Sequence, residues 1–320
     1  MSVAPFRRRL PDGALEYLRT MPRWWRDVLA FQFEDEGVTH ALLVALRDGY
    51  LNVYAQGQSV LKIGFDARRA GDAILRCRIH RKYVRGPQAG DGYDLFDGLQ
   101  VTESDTAAVI ETYNGLDTLR RWVEAARSYA GDEKKGVAVI AARHPEVIDV
   151  EMALPANAPK EGEAKVANRM DIVALEEHGG VQLVFYEAKL FFNPELRAND
   201  LKPRVLGQLQ RYCDYVTAPD RRAEVIAAYQ NACMVLAEIA AMRGSEPAPL
   251  VRAVADGAPL ALDPAPRLVV FGHKAEQVAA GSSWQRHADA LRDGGVALVL
   301  AAEPHNIVLR RPEGAVANTP

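Results

Sequence analysis

The chain has 320 residues, 48% of them hydrophobic, and carries a formal net charge of −3 at pH 7. Such a chain can bury a substantial core, most naturally in two domains, and its slight acidity excludes nucleic-acid binding by overall charge, leaving that role to local basic clusters. Its three cysteines, Cys77, Cys213 and Cys233, are sparse, odd in number and widely separated, which argues against disulfides or a zinc site and for a reducing compartment.

Residues 1 to about 30 read as helical, with Trp24 and Trp25 assigned to a core or interface. No apolar stretch follows the basic start, so no signal peptide is expected. HALLVALRDGYLNVYAQGQSVLKIGF reads as a three-stranded meander with turns at Asp48-Gly49 and Gln56-Gly57. In the strand that follows, Arg76, Arg78, His80 and Lys82 alternate with Cys77 and Ile79, giving a basic face that could track a phosphate backbone. DTAAVIETYNGLDTLRRWVEAARSYA reads as one or two helices with Trp122 packed, and a domain boundary is placed near residue 125. The expected organisation is a smaller N-terminal α+β domain over residues 1–125, assigned by position to substrate recognition, and a second domain over 126–320.

In the second domain DEKKGVAVIAARH carries a short helical stripe with Glu133 in its first turn. Strands are expected near 147–154, 168–176 and 181–190, with an exposed loop LPANAPKEGEAK after the first. PRVLGQLQRYCDYV repeats Val205, Leu209, Tyr212 and Val216 at helical spacing, which sets Gln208 and Tyr212 on one edge. A long helix near 221–242 follows, interrupted by Gln230, Asn231 and Glu238, so no membrane span and no membrane partner are expected. A Pro/Ala segment over 247–266 reads as a loop insertion, then RLVVFGH, SSWQRHADALRDGG and VALVLAA form a strand-helix-strand unit that extends the sheet, before a frayed tail from Arg310.

The chemistry concentrates on NRMDIVALEE, a His178-Gly179-Gly180 turn, and VQLVFYEAK. Acid-x-Lys triplets end at Lys134, Lys135, Lys165, Lys189 and Lys202, but only that at Lys189 closes a run rich in Val, Leu, Phe and Tyr. Alternation puts Leu183, Phe185, Glu187 and Lys189 on one face of that strand, so an apolar face ends in two charges that need compensation. A three-residue loop sets Asp171 across from Glu187 on the same face, whereas a two-residue loop would turn it away. Two facing carboxylates suit a hard divalent cation, and the neighbouring lysine suits a building negative charge. Phe191 and Phe192, just beyond, are candidates for stacking on bases or for completing the core, with the core preferred.

The succession of a helix with Glu133, a strand with Asp171, a strand ending Glu187-Ala188-Lys189 and a helix carrying Gln208-x-x-x-Tyr212 resembles the PD-(D/E)xK nuclease superfamily, in particular its RecB-like and Cas4-like branches. The resemblance covers roughly residues 130–305, with Arg169-Met170 standing where the family usually has a proline. It implies a restriction-endonuclease-like core, a mixed sheet flanked by helices, and a Mg²⁺-dependent nuclease, with Mn²⁺ as substitute. Asp171, Glu187 and the Ala188 carbonyl would ligate the metal, and Lys189 would orient the attacking water or stabilise the phosphate. Glu133, preferred over Glu151, would complete the metal site, with Gln208 and Tyr212 positioning it or the DNA backbone. The implied partners are DNA ahead of RNA, a second copy of the chain as a homodimer, and a separate ATPase, since no nucleotide-binding loop is present; the location is cytoplasmic. The alternative is a non-catalytic nucleic-acid-binding or assembly module on the same fold.

Overall fold

The computed structural model describes residues 5–35, 37–69, 72–155, 169–198 and 202–310, and counts and absences below refer to these. Most of the LPANAPKEGEAK loop, the triplet ending at Lys165 and the tail beyond Arg310 lie outside them. The protein is α+β and divides into two compact units, Arg7–Ala138 with Asn231–Ala248, and Met1–Phe6 with Val139–Gln230 and Pro249–Pro320. The division falls after Ala138 rather than near residue 125, because residues past α4 still bond into the N-terminal sheet. Gln58 Nε2 donates to the Tyr129 carbonyl at 3.0 Å, and Lys134 Nζ to the Gly57 carbonyl at 3.4 Å.

In the N-terminal unit, α1 (Ala14–Arg19) and α2 (Arg23–Ala30) precede a hairpin of β1 (Gln32–Asp35) and β2 (Val38–Ala41). A seven-stranded antiparallel meander follows, formed by β3 (Leu43–Leu46), β4 (Tyr50–Ala55), β5 (Gln58–Arg69), β6 (Asp72–His80), β7 (Tyr93–Phe96), β8 (Gln100–Thr102) and β9 (Val109–Thr112). Between β6 and β7 comes α3 (Arg81–Arg85), and α4 (Leu116–Arg127) follows β9. Gln56 and Gly57 close the β4–β5 hairpin with φ of 47° and 70°, the left-handed pair whose twist matches that of the flanking strands. Leu51, Ile63, Cys77 and Phe96 form one buried cross-strand row, and Trp24 and Trp122 pack edge-on against Phe96 at ring distances of 6.2 and 5.2 Å. The three strands read from 40–65 are β3, β4 and β5, and the basic strand after them is β6. One expectation is corrected: Val109–Thr112, read as helical, is a strand whose β-branched residues pair with β8.

In the second unit the elements run α5 (Asp132–Arg143), β10 (Val147–Ala153), β11 (Arg169–Glu177), β12 (Val181–Leu190), α6 (Arg204–Thr217), α7 (Pro219–Met242), α8 (Pro249–Ala255), β13 (Leu260–Leu262), β14 (Arg267–Phe271), α9 (Ala275–Val278), α10 (Trp284–Asp293) and β15 (Leu298–Leu300). The division at Ala138 leaves the first turns of α5 with the N-terminal unit. The sheet order is β10-β11-β12-β14-β15. Its first three strands are antiparallel, β14 and β15 continue parallel to β12, and β13 also pairs with β12. The sheet is therefore mixed, and its central strand β12 is buried on both faces, with Val184, Phe185, Tyr186 and Ala188 all fully enclosed.

The segment 247–266 is no loop insertion. Val251 and Val254 bury one side of α8, and Leu260 and Leu262 bury β13 beside β12, so short apolar repeats outweigh the prolines. The expectation for α7 also changes: it is long and apolar enough to cross a membrane, with a mean hydropathy of 1.5 over its best window. Its polar interruptions are too few to prevent that, and its apolar residues are used in packing, with Val225, Tyr229, Cys233 and Ile239 buried and Tyr229 against Phe185 at 6.3 Å.

On the face of β12 away from Glu187, Arg267 bonds both Glu176 oxygens at 2.6 Å, the Tyr186 hydroxyl at 2.9 Å and Asp263 at 3.2 Å. Arg267 is 3% exposed, so removing its charge leaves Glu176 poorly solvated and unpaired. Arg267→Met is expected to cost about 3–5 kcal/mol in urea unfolding, and adding Glu176→Gln should recover part of that loss. An unchanged midpoint in the single variant would show that the pair contributes nothing net.

Candidate functional site

The β11–β12 ladder runs from Glu177↔Val181 to Ile172↔Tyr186, closed by the three residues His178, Gly179 and Gly180. Both glycines have positive φ, 63° and 136°, as a tight turn of this length demands. Continuing the register by one residue sets Asp171 against Glu187, on the same face. Tyr186 and Ala188 direct their backbone groups toward β11, so Asp171 and Glu187 form the alternate pair, in which side chains approach more closely.

Asp171 makes contact with the strand opposite: its Oδ2 accepts the Ala188 N–H at 2.8 Å. Because the N–H and C=O of one strand residue project from the same edge, the Ala188 carbonyl also faces the Asp171 side. Lys189 Nζ donates to Glu187 Oε1 at 2.5 Å and lies 3.7 Å from Glu195 Oε2. Gln208 Nε2, from α6, donates to the same Glu187 oxygen at 2.7 Å. Glu187 and Lys189 are 1% and 7% exposed, so this is a desolvated charge pair at the end of an apolar row. One turn along α6 from Gln208, Tyr212 is fully buried, and its hydroxyl has no hydrogen-bond partner among the described residues.

The electrostatics follow from burial. Loss of water raises the Asp171 carboxyl well above the usual range, and the Glu187 charge raises it further. The Ala188 N–H and Lys189 oppose that rise, while Glu151 adds to it. Burial and the charges of Glu187 and Asp171 likewise push the Tyr212 phenol up, so it stays a neutral donor.

The structure therefore brings together Asp171, Glu187, the Ala188 backbone, Lys189, Gln208 and Tyr212 around the end of β12. Glu133 sits in the first turn of α5, within the stretch that belongs to the N-terminal unit. Glu151 lies beside Asp171 within the second unit's sheet. The β10–β11 register, Val150↔Ile172 and Met152↔Met170, sets it against Asp171, with φ at 51° and Arg169 at 3.7 Å. Gln208 and Tyr212 lie against the acids, Gln208 bonding Glu187 directly. Among the described residues no three His, Cys, Asp or Glu side chains group as a metal site.

The two phenylalanines part company. Phe191 is buried against Trp284 at 4.7 Å, and Phe192 is 63% exposed. Two further residues were not legible in the sequence. Glu195 reaches Lys189 through a short turn started by Asn193, whose side chain accepts the Glu195 N–H, and Arg169 reaches Glu151 from β11. Neither belongs to a periodic pattern; the Asn-Pro dipeptide at 193–194 is the signal that a turn follows Lys189. No family model, no curated protein and no solved structure matches the chain.

An acid whose folded pKa is raised stabilises the fold fully below its unfolded value of about 4 and loses that stabilisation as pH rises through the folded value. Asp171→Asn mimics the protonated carboxyl and keeps an acceptor for Ala188. In EDTA it is expected to raise stability at pH 8 by on the order of 1–3 kcal/mol, with the gain vanishing toward pH 4. Thermal melts at the two pH values check this, and a loss at pH 8 would show that Asp171 is not destabilised by its neighbours.

Proposed function

We propose that the second unit is a Mg²⁺-dependent nuclease centre that hydrolyses phosphodiester bonds of DNA, with RNA a lesser substrate, acting in the cytoplasm in restriction, phage defence or repair. One observation carries the reading: Asp171, half-buried, and Glu187, fully buried, face each other from adjacent strands, with Lys189 on the same face. The order α5-β10-β11-β12-α6, with β14 parallel to β12, agrees with what the resemblance to PD-(D/E)xK nucleases implies.

The residues fit a hard divalent cation. Burial first, and the Glu187 charge second, raise the Asp171 carboxyl, and a cation between the two carboxylates would offset both; Mg²⁺ is usually held by one or two carboxylates with water and substrate phosphate completing its shell. Asp171, Glu187 and the Ala188 carbonyl would hold it, with Glu151 rather than Glu133 as the nearby third acid. When bound, Mg²⁺ supplies a more acidic water and offsets charge on the phosphoryl oxygens.

The chain's own groups do the rest. Lys189, whose ammonium rests on Glu187 at 2.5 Å, would serve a phosphate oxygen or the attacking water. Gln208 fixes the Glu187 carboxylate through its 2.7 Å bond, holding one oxygen in place. The buried Tyr212 hydroxyl is a neutral donor available to a water at the acids.

A second reading, a non-catalytic nucleic-acid-binding or assembly module, is favoured by the 2.5 Å Lys189–Glu187 pair, which already balances one carboxylate. Incubation with linear, circular and single-stranded DNA in Mg²⁺, Mn²⁺ or EDTA separates the two. Cutting is expected with either metal and not in EDTA, with Lys189→Ala slower by about 100-fold or more; equal cutting by that variant removes Lys189 from the mechanism. Glu151→Gln is expected to slow cutting more than Glu133→Gln, and the reverse order would return the third acid to α5.

A further inference from the structure

The N-terminal sheet buries one face against its helices. Across the other face, the register makes Lys62, Arg78, Leu95 and Thr102 direct cross-strand neighbours. Arg78 is exposed, and Leu95 is 38% exposed, so this row is open to solvent. One step along the strands lies Arg76, also exposed, opposite Gly64, which has no side chain to cover it.

In the other direction the face becomes aromatic. His80 pairs with Tyr93, their rings 5.4 Å apart, Tyr83 lies 5.4 Å beyond His80, and Tyr129 lies 6.0 Å beyond Tyr83. A lysine stands over each end: Lys62 Nζ is 4.3 Å from the Tyr93 ring centre, and Lys82 Nζ is 4.2 Å from that of Tyr129. The alternating stripe expected from sequence is thus redrawn. Lys82 leaves the strand for α3, and Lys62 on β5 takes a place beside Arg78.

Lys62, Arg78 and Lys82 form no ion pair among the described residues, whereas Arg81 and Arg85 on the same short helix are bound to Asp94, Asp105 and Glu103. Arg81 and Arg85 are thus held by carboxylates, Arg78 is open to solvent, and the half-buried Lys62 ammonium donates to the Tyr93 hydroxyl at 2.8 Å. Of the described carboxylates, Asp91 approaches the patch, 3.6 Å from His80 Nε2 and almost wholly exposed. A patch that sets unpaired cations beside partly exposed rings fits a polyanion whose planar groups are accessible. An acidic protein surface offers only the charge, and a duplex hides its base faces in the stack.

We propose that this outward face of the N-terminal sheet binds single-stranded nucleic acid, with phosphates on Lys62 and Arg78 and bases along the Tyr93–His80 edge and Leu95. The surface lies outside the site assigned to hydrolysis and does not depend on that assignment.

The test is fluorescence anisotropy with the full chain and a labelled oligothymidine of about 20 nucleotides, in EDTA so that nothing is cut. The wild type is expected to bind with affinity that falls steeply with salt. The Lys62→Ala/Arg78→Ala protein should bind about tenfold more weakly, with a salt slope shallower by about two, and melt at the same temperature as the wild type. Unchanged affinity in the double variant overturns the proposal, as does tighter binding of the same sequence as a duplex, or heparin matching the oligonucleotide. A wild-type protein that binds in this way yet never cuts supports the surface and ends the nuclease reading alone.

Discussion

Two carboxylates that cannot comfortably both ionise organise the second unit. Asp171 and Glu187 are brought face to face by strand register, Glu187 fully buried and Asp171 half-buried, and each raises the cost of charging the other. The protein answers this locally with one backbone N–H, one ammonium and one amide, placed on Asp171 and Glu187. A fold that only needed stability could fill the position with apolar side chains at little loss. A repelling pair with an ammonium beside it is the feature on which the proposed cation site rests.

The rest of the unit makes that arrangement rigid. β12 has neighbours on both edges and cover on both faces, so its register cannot slip without moving a whole apolar set out of the core. On the face away from the acids, Arg267 ties Tyr186, Glu176 and Asp263 together with bonds of 2.6–3.2 Å. On the acid face, α6 presents Gln208 and Tyr212 one turn apart, so a single helix supplies both the amide on Glu187 and the buried phenol near it.

The N-terminal sheet is built on the same alternation but to another end. Its inward residues, such as Leu51, Ile63, Cys77 and Phe96, are enclosed, and the residues between them carry Lys62, Arg76 and Arg78 outward. A chain with a net charge of −3 can in this way collect cations on one surface while its remaining charge is distributed elsewhere.

Strong local signals were legible. The three-residue glycine turn predicted the face shared by Asp171 and Glu187, Gln56-Gly57 predicted a tight hairpin, and helical spacing put Gln208 and Tyr212 on one edge. Short or composition-biased segments were not. β9 lay inside a stretch read as helix, and α8 and β13 lay inside a proline-rich stretch read as loop, because two or three apolar residues acquire meaning only when a neighbouring strand or core receives them.

From the sequence alone came the strand periods, the turn lengths and hence the face on which each charge would stand, since these depend on neighbours along the chain. Which glutamate lies beside Asp171, that Lys189 rests on Glu187, that Glu195 comes within 3.7 Å of it and that Lys62 joins Arg78 were decided by tertiary structure. Those relations join residues on different strands and turns, and only sheet order, register and the loss of water between them set which charges meet.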